Sequence, residues 1–441
     1  MTFALRASLL DFGAAASPAA PAARWIEDGL LVIANGCVAA RGACADLAPT
    51  LDPGAPVHDL RGCIVAPGFV DAHLHLPQID VIASPAPGLL PWLERYTFPA
   101  EAAFADAAVC DEAARFFLDE LARHGTTSAC VYGSVHAQSV EALFSHADAR
   151  GLRLIAGKCL MDAHAPEGLR DSADGGVQAS ADLAARWHGR GRLGYAITPR
   201  FAATSSRRQL AAAGALARAR PELYVQSHVA ENRDEVRLIA ELFPEARSYL
   251  DVYERHGLLR SRSVYAHCIH LDCADRQRLA ATAALAAVCP TSNLFLGSGL
   301  FDFEAAGAAG MALALGTDIG GGQSFSMFST MRSAHEVARL RGQSLSAAQL
   351  WYWASGGAAQ ALGWGGRVGT LEPGAEADLI VIDPQATALT ARRARLARAR
   401  GSLEDLMFVL LVLGDDRLVR ETYIAGRAVK SALCAAARSA Q

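Results

Sequence analysis

Eight short apolar runs punctuate the middle of the chain, and between most of them lie Ala/Leu/Arg-rich stretches with helical spacing. The runs are Phe69–His75, Thr126–Tyr132, Arg153–Lys158, Leu193–Pro199, Glu222–His228, Ser263–His267, Ala286–Pro290 and Ala312–Asp318. Ala107–His124 and Asp234–Glu241 are two of the helical stretches. The runs are too apolar for strands with one wet face, so they predict a parallel sheet covered by helices on both sides. Such units closing on themselves form a (β/α)8 barrel, and the stretch from His73 to Asp318 approaches the length of about 250 residues that this barrel needs. A doubly wound open sheet competes for the same pattern. No GxGxxG opens the first strand–helix turn, which weighs against its nucleotide-binding form.

The two ends of the chain differ from this middle. Leu30–Asn35 and Cys63–Val65 near the amino terminus, and Asp378–Ile382 and Glu421–Ile424 near the carboxyl terminus, are β-rich runs bounded by Gly, Pro or Asp turns. The expected organisation is an α/β chain with a TIM-type barrel over 67–366. A small β-sandwich domain would be built from both ends, 1–66 and 367–441, with terminal helices in the second part. Met1–Ala23 reads as a strand plus a loop rather than an export signal, because Asp11 breaks its apolar part and Arg6 is its one basic residue. The apolar stretch 404–414 is too short to span a membrane and reads as a buried helix. The arginine-rich stretch 391–401 reads as a solvated helix.

Hydrophobic residues make up 52% of the chain and charged ones 20%, which excludes intrinsic disorder and supplies a large core. A net charge of −4, with no basic run interleaved with aromatics, excludes a dedicated nucleic-acid binder. The ten cysteines contain no CxxC pair, so reduced core thiols in a cytoplasmic protein are expected.

Polar residues at the carboxyl ends of the candidate strands carry the chemistry. His73 and His75 end the first run two residues apart, so on a strand both imidazoles project from one face. His228 ends the fifth run, His267 the sixth and Asp318 the eighth. In a barrel these ends meet at the catalytic mouth. Three imidazoles and a carboxylate make an N3O set of the kind that holds one catalytic zinc with a position left for water, and iron suits the same donors. A fourth imidazole, His267, would lie beside it. Glu231, three residues past His228, is placed to shuttle protons; Asp234 and Glu235 fit the start of a helix better. Arg200 and Phe201 close the fourth run and offer a donor fork and a stacking face. There is no HExxH and no HxE with PCxxC. Cys159, Cys268 and Cys289 lie near strand ends without ligand spacing and read as buried thiols. Lys158 falls at the third strand end rather than the fourth, where binuclear barrel hydrolases place a bridging lysine, so one metal is expected.

These residues resemble the amidohydrolase superfamily and, within it, the guanine deaminases. The HxH pair, the lone His and the terminal Asp mark the superfamily. The narrower likeness rests on Pro67–Gln78, Pro91–Glu101 (PWLERYTFPAE), Gly157–Asp162 (GKCLMD), Thr198–Phe201 (TPRF) and Gln226–Glu235 (QSHVAENRDE). Cys289–Gly299, Gly316–Gly322 and Leu413–Arg417 extend it. It covers nearly the whole chain, most densely 65–325. The chain departs from some relatives at Ile319–Gly320, and Ser84–Gly88 interrupts the match. The resemblance implies zinc, one per chain, on His73, His75, His228 and Asp318. It further implies Gln78, Arg200 and Phe201 as purine-binding residues, Glu231 as proton shuttle and His267 at the reacting centre. The substrate would be guanine and the assembly a homodimer, with neither nucleic acid nor membrane as partner. Another mononuclear amidohydrolase acting on a purine, pterin or triazine shares the ligand set, and a silent scaffold of the same fold is the reading from a different class.

Overall fold

The computed structural model describes residues 2–13 and 20–439. The amino-terminal strand is present as β1 (Thr2–Asp11), and the loop expected after it falls partly on 14–19, outside the described residues. β2 (Arg24–Ala34), β3 (Cys37–Ala43) and β4 (Val57–Pro67) follow, and the chain then passes through Gly68 into a second sheet. That sheet holds β5 (Phe69–His75), β6 (Thr126–Tyr132), β7 (Arg153–Gly157), the short β8 (Cys159–Leu160) and β9 (Leu193–Pro199). It continues with β10 (Tyr224–Val229), β11 (Ser263–His267), β12 (Leu285–Val288) and β13 (Ala312–Leu315). The chain returns to the first sheet in β14 (Leu379–Ile382), β15 (Val419–Ile424) and β16 (Arg427–Ala428).

Neighbours from β5 to β13 pair in parallel in the order β13-β12-β11-β10-β9-β7-β6-β5, with β8 beside β9. The seam is closed at the catalytic end: Asp318 N donates to His73 O at 2.8 Å, and His75 N donates to Ile319 O at 3.1 Å. The result is a nearly closed eight-strand barrel with helices such as Ala107–Arg123, Ala137–Arg150 and Ala173–Trp187 packed outside. One apolar cluster takes residues from all eight main strands, among them Val70, Ala72, Cys130, Ile155, Ala196, Tyr224, Val264, Leu285 and Ala314, and fills the barrel interior below the site. Phe69, Leu74 and Tyr265 belong to the outer core against the helices.

Several strand ends differ from the sequence reading. β13 stops at Leu315 and not at Asp318, because the chain there passes over β5: a Cβ on Gly316 would lie 2.9 Å from His73 Cβ. β12 stops at Val288 because Pro290 opens the helix Pro290–Phe295. β7 stops before Lys158, whose side chain leaves the barrel for Asp171.

The second sheet is built from both chain ends as expected, in the order β16-β15-β14-β4-β1-β2-β3. Its hydrogen bonds run through seven strands, and the sheet folds so that side chains of β1, β2, β4, β14 and β15 share one core, with Phe3 of β1 stacked on Tyr423 of β15 at 6.1 Å between centroids. β1 is paired along both edges, with β2 antiparallel and β4 parallel, and β4 also takes β14, which joins the two chain ends. The apolar stretch near 404–414 is the helix Leu403–Leu413, with Leu406, Leu410 and Leu411 buried, and the arginine-rich stretch is the helix Ala388–Ala399 with Arg392, Arg393 and Arg395 exposed. Among the described residues no helix is long and apolar enough to cross a membrane.

Candidate active site

β5 supplies two of the central imidazoles. Its register against β6 shifts between Asp71 and Leu74, so the inward positions pass from Val70 and Ala72 to His73 and His75. His75 Nε2 lies 3.2 Å from both His73 Nε2 and His228 Nε2. Asp318 Oδ1 lies 3.2 Å from His73 Nε2 and 3.3 Å from His75 Nε2. Donors about 2.0–2.2 Å from a tetrahedral zinc are about 3.3–3.5 Å apart, so these separations fit the edges of a metal polyhedron. His228 Nδ1 faces Arg200 O at 2.5 Å; a carbonyl only accepts, so Nδ1 carries the proton and the Nε2 lone pair faces the cluster.

The charge state agrees. Burial lowers the pKa of His73 and His228 and brings His75 down to about 3, so the imidazoles are neutral. Burial works against the charge on Asp318, but the surrounding imidazoles outweigh it and hold the carboxyl well below its usual range. Three neutral nitrogens and one carboxylate in a buried cluster are a dication's donor set. Asp71 anchors it from behind: it accepts from Thr317 Oγ1 at 2.5 Å, Thr317 N at 3.0 Å and His73 N at 3.2 Å. One carboxylate thus ties the histidine strand to the residue before Asp318.

Above the cluster opens a small, narrow cavity. All the expected site residues except His73 line it: His75, Gln78, Arg200, Phe201, His228, Glu231, His267 and Asp318. His73 sits underneath. Leu89, Trp92, Leu93, Glu235 and Leu296 complete the wall.

A family model described as the Amidohydrolase family matches residues 64–429. The chain belongs to the amidohydrolase family. It is 43% identical over 410 residues to the guanine deaminase of Escherichia coli, covering 93% of each chain. The structure of guanine deaminase from Bradyrhizobium japonicum superposes with a TM-score of 0.93 at 31% identity, over 97% of this chain and 99% of that one. Guanine deaminase from C. acetobutylicum, solved with guanine bound in its active site, gives a TM-score of 0.85 at 25% identity over 97% and 100% of the two chains.

In this amidohydrolase the strand-end rule needs one amendment. Val264 faces the barrel interior, so plain alternation sends His267 outward. His267 adopts a left-handed backbone with φ 70°, and its ring lies in the cavity. Ala230 and Asp318, both at φ 50°, bend the chain at two further strand ends. Such conformations cost of order 1–3 kcal/mol each and gather at functional sites. His267 Nδ1 lies 2.8 Å from Asn293 Oδ1, while its Nε2 is 3.4 Å from Glu231 Oε2 and 3.7 Å from Asp318 Oδ2.

Glu231 accepts from Ser298 Oγ at 2.8 Å, and burial together with the Asp318 charge raises its pKa. Glu235 makes the capping box of the helix Arg233–Leu242, as a helix-start acid should. It is also fully buried, accepting from Glu231 N at 2.9 Å and Tyr249 Oη at 2.8 Å, and burial plus Glu231 raises its pKa. Its place behind Glu231 was not read from sequence; its position in the SHVAENRDE stretch was the available signal.

Glu101 and Asp71 are the other residues that sequence reasoning passed over. Glu101 accepts from Arg200 Nη1 at 2.5 Å and Gln78 Nε2 at 3.0 Å. Burial works against the Arg200 charge, and Glu101 more than compensates. Lys158 pairs with Asp171 at 2.6 Å, away from the cavity. All ten cysteines are free. Cys289 comes within ligand distance of His73, His267 and Asp318, which spacing did not reveal. Burial and nearby carboxylates push its thiol well up, and it donates to Ala287 O at 3.4 Å, which leaves it a protonated packing group.

Proposed function

We propose that this amidohydrolase removes the 2-amino group of guanine by hydrolysis, giving xanthine and ammonia, with one zinc per chain on His73, His75, His228 and Asp318. The observation that carries the reading is the single cavity that Arg200, Gln78 and Phe201 line together with Glu231, His267, Asp318 and, from the histidine cluster, His75 and His228. Its relatives named for guanine deamination support the same substrate.

Zinc at this donor set supplies Lewis acidity that makes a water nucleophilic near neutral pH. Arg200 directs guanidinium N–H groups at the ring carbonyl, and Phe201 packs against the ring face. Gln78 reads a second polar edge. Asp318, ionised and next to the reacting position, takes the proton from the attacking water. Glu231 holds a proton near neutral pH because its burial raises its affinity, and it delivers that proton to ring N3 as attack at C2 proceeds. The His267 imidazole, held by Asn293, stabilises charge on the attacking oxygen. Asp318 then passes its proton to the amino nitrogen, the C2–N bond breaks with its electron pair leaving on nitrogen as ammonia, and Glu231 takes back the hydroxyl proton as the C2 carbonyl of xanthine forms. A ring lacking the carbonyl leaves the Arg200 N–H groups not engaged by Glu101 without an acceptor, which is the basis of selection against adenine. A homodimer in the cytoplasm belongs to the same proposal, and light scattering on purified protein tests the dimer.

The deciding experiment is ammonia release from guanine, adenine, 8-oxoguanine, cytosine and a pterin in parallel, with metal content determined on the same sample. Fast release from guanine with about one zinc per chain is expected. Activity confined to another ring refutes the substrate, and silence on all rings with metal bound turns the reading to a scaffold.

A further inference from the structure

Glu101 reaches the site from a segment remote from the catalytic strands. It lies in the short helix Phe98–Ala102 and has no solvent exposure. Ser134 Oγ donates to its main-chain carbonyl at 2.9 Å, pinning this turn to the loop after β6. One oxygen, Oε1, accepts both the Arg200 and the Gln78 bonds. Phe98, on the same short helix, lies under the Arg200 guanidinium, whose Cζ is 5.7 Å from the ring centroid. The guanidinium is therefore fixed along one edge by a carboxylate and over one face by a ring. Glu101 itself is outside the cavity lining, whereas Arg200 and Gln78 are both part of it.

The consequence for Gln78 is chemical. A carboxylate accepts and does not donate, so the amide atom turned to Glu101 is Nε2. The carbonyl Oε1 is left for the cavity. The site thereby presents an acceptor, Gln78 Oε1, beside a donor fork, Arg200. That pattern complements a ring edge in which a carbonyl stands next to an N–H, the lactam edge of an oxopurine. An aminopurine edge, with an unprotonated ring nitrogen, meets it with acceptor against acceptor.

We infer that Glu101 is a specificity-determining positioning residue, which orients the Gln78 amide and the Arg200 guanidinium so that the cavity selects a lactam edge. This rests on the guanine reading above. Without the carboxylate, the Gln78 amide is free to rotate and offer a donor, and Arg200 loses the contact that aims it. Binding of the oxopurine then weakens, while a ring without the lactam edge is affected little.

The test compares guanine with 2-aminopurine, which keeps the 2-amino group but lacks the carbonyl and its neighbouring N–H. KM and kcat are measured for each, or an inhibition constant where turnover of 2-aminopurine is too slow. In Glu101→Gln with native metal content, KM for guanine rises about tenfold or more while kcat falls less than about threefold, and the preference for guanine shrinks by about tenfold, as loss of a buried polar contact predicts. Equal losses on both rings, a loss confined to kcat, or an unchanged preference overturns the inference. If Glu101→Gln does not fold, Glu101→Asp decides, since it keeps the charge but withdraws it from Gln78. A reduced preference supports the assignment, and a native preference in the folded variant refutes it. A native enzyme silent on guanine overturns the function and this assignment together. A native enzyme active on guanine, with variant preference unchanged, overturns the assignment alone.

Discussion

Replacing Glu231 by Gln separates catalysis from stability. The substitution is isosteric, and the amide oxygen still accepts the 2.8 Å bond from Ser298 Oγ, so the cavity keeps its shape. What is lost is the proton that Glu231 is proposed to transfer, a contribution of about 10²-fold or more in turnover, or about 2.7 kcal/mol of barrier. Stability moves the other way. Burial and the Asp318 charge raise Glu231, and burial and Glu231 raise Glu235, so the folded protein holds protons that the unfolded chain releases as pH rises from the usual carboxylate range through neutrality. The folded state binds more protons across that window, and stability therefore falls with rising pH. The Glu231→Gln change removes one of the two acids. With about 1.4 kcal/mol for each pKa unit, the gain at pH 9 is on the order of 2–4 kcal/mol, read as a rise of a few degrees in Tm. The assay is ammonia release and thermal unfolding at pH 6.5 and pH 9 on samples of equal metal content. Turnover within about threefold of native removes Glu231 from the mechanism. An inactive variant with no gain in Tm at pH 9 relative to pH 6.5 refutes the buried, proton-holding pair.

Three further outcomes follow from the geometry. If Asp318 holds the proposed metal, chelation lowers Tm because it leaves that carboxylate buried without a cation, and titration back with zinc restores Tm and activity together at about one equivalent per chain. Asp71→Ala unties Thr317 from β5, so metal affinity falls by about 10- to 100-fold although Asp71 is not among the proposed ligands; unchanged affinity in an equilibrium competition assay counts against the anchoring role. Lys158→Met leaves Asp171 without its partner and destabilises the fold by about 3–5 kcal/mol, while metal stoichiometry stays at one; loss of metal identifies Lys158 as a ligand instead.

Much of this molecule is legible along the chain because its information is periodic. Apolar runs bounded by turns gave β5, β6, β9 and β11 at their observed limits. The two-residue spacing of His73 and His75 places both rings in one cluster. A strand's side-chain period is local, so it survives without knowledge of what packs against it. The rule weakened where the backbone leaves ideal geometry. His267 reaches the cavity through a left-handed residue, and Asp318 lies beyond the end of its strand.

The sequence by itself determined the strand–helix alternation, the His and Asp residues brought to the barrel mouth, and the carboxylate beside them. Tertiary structure alone decided that Glu101 meets Arg200 and Gln78, 99 and 23 residues away, and that Asp71 meets Thr317, 246 residues away. It also joined both chain ends into one continuous sheet. Period and turn chemistry are carried by neighbouring residues, whereas a buried carboxylate acquires its partner only when separate loops are packed together and every buried polar group must find one.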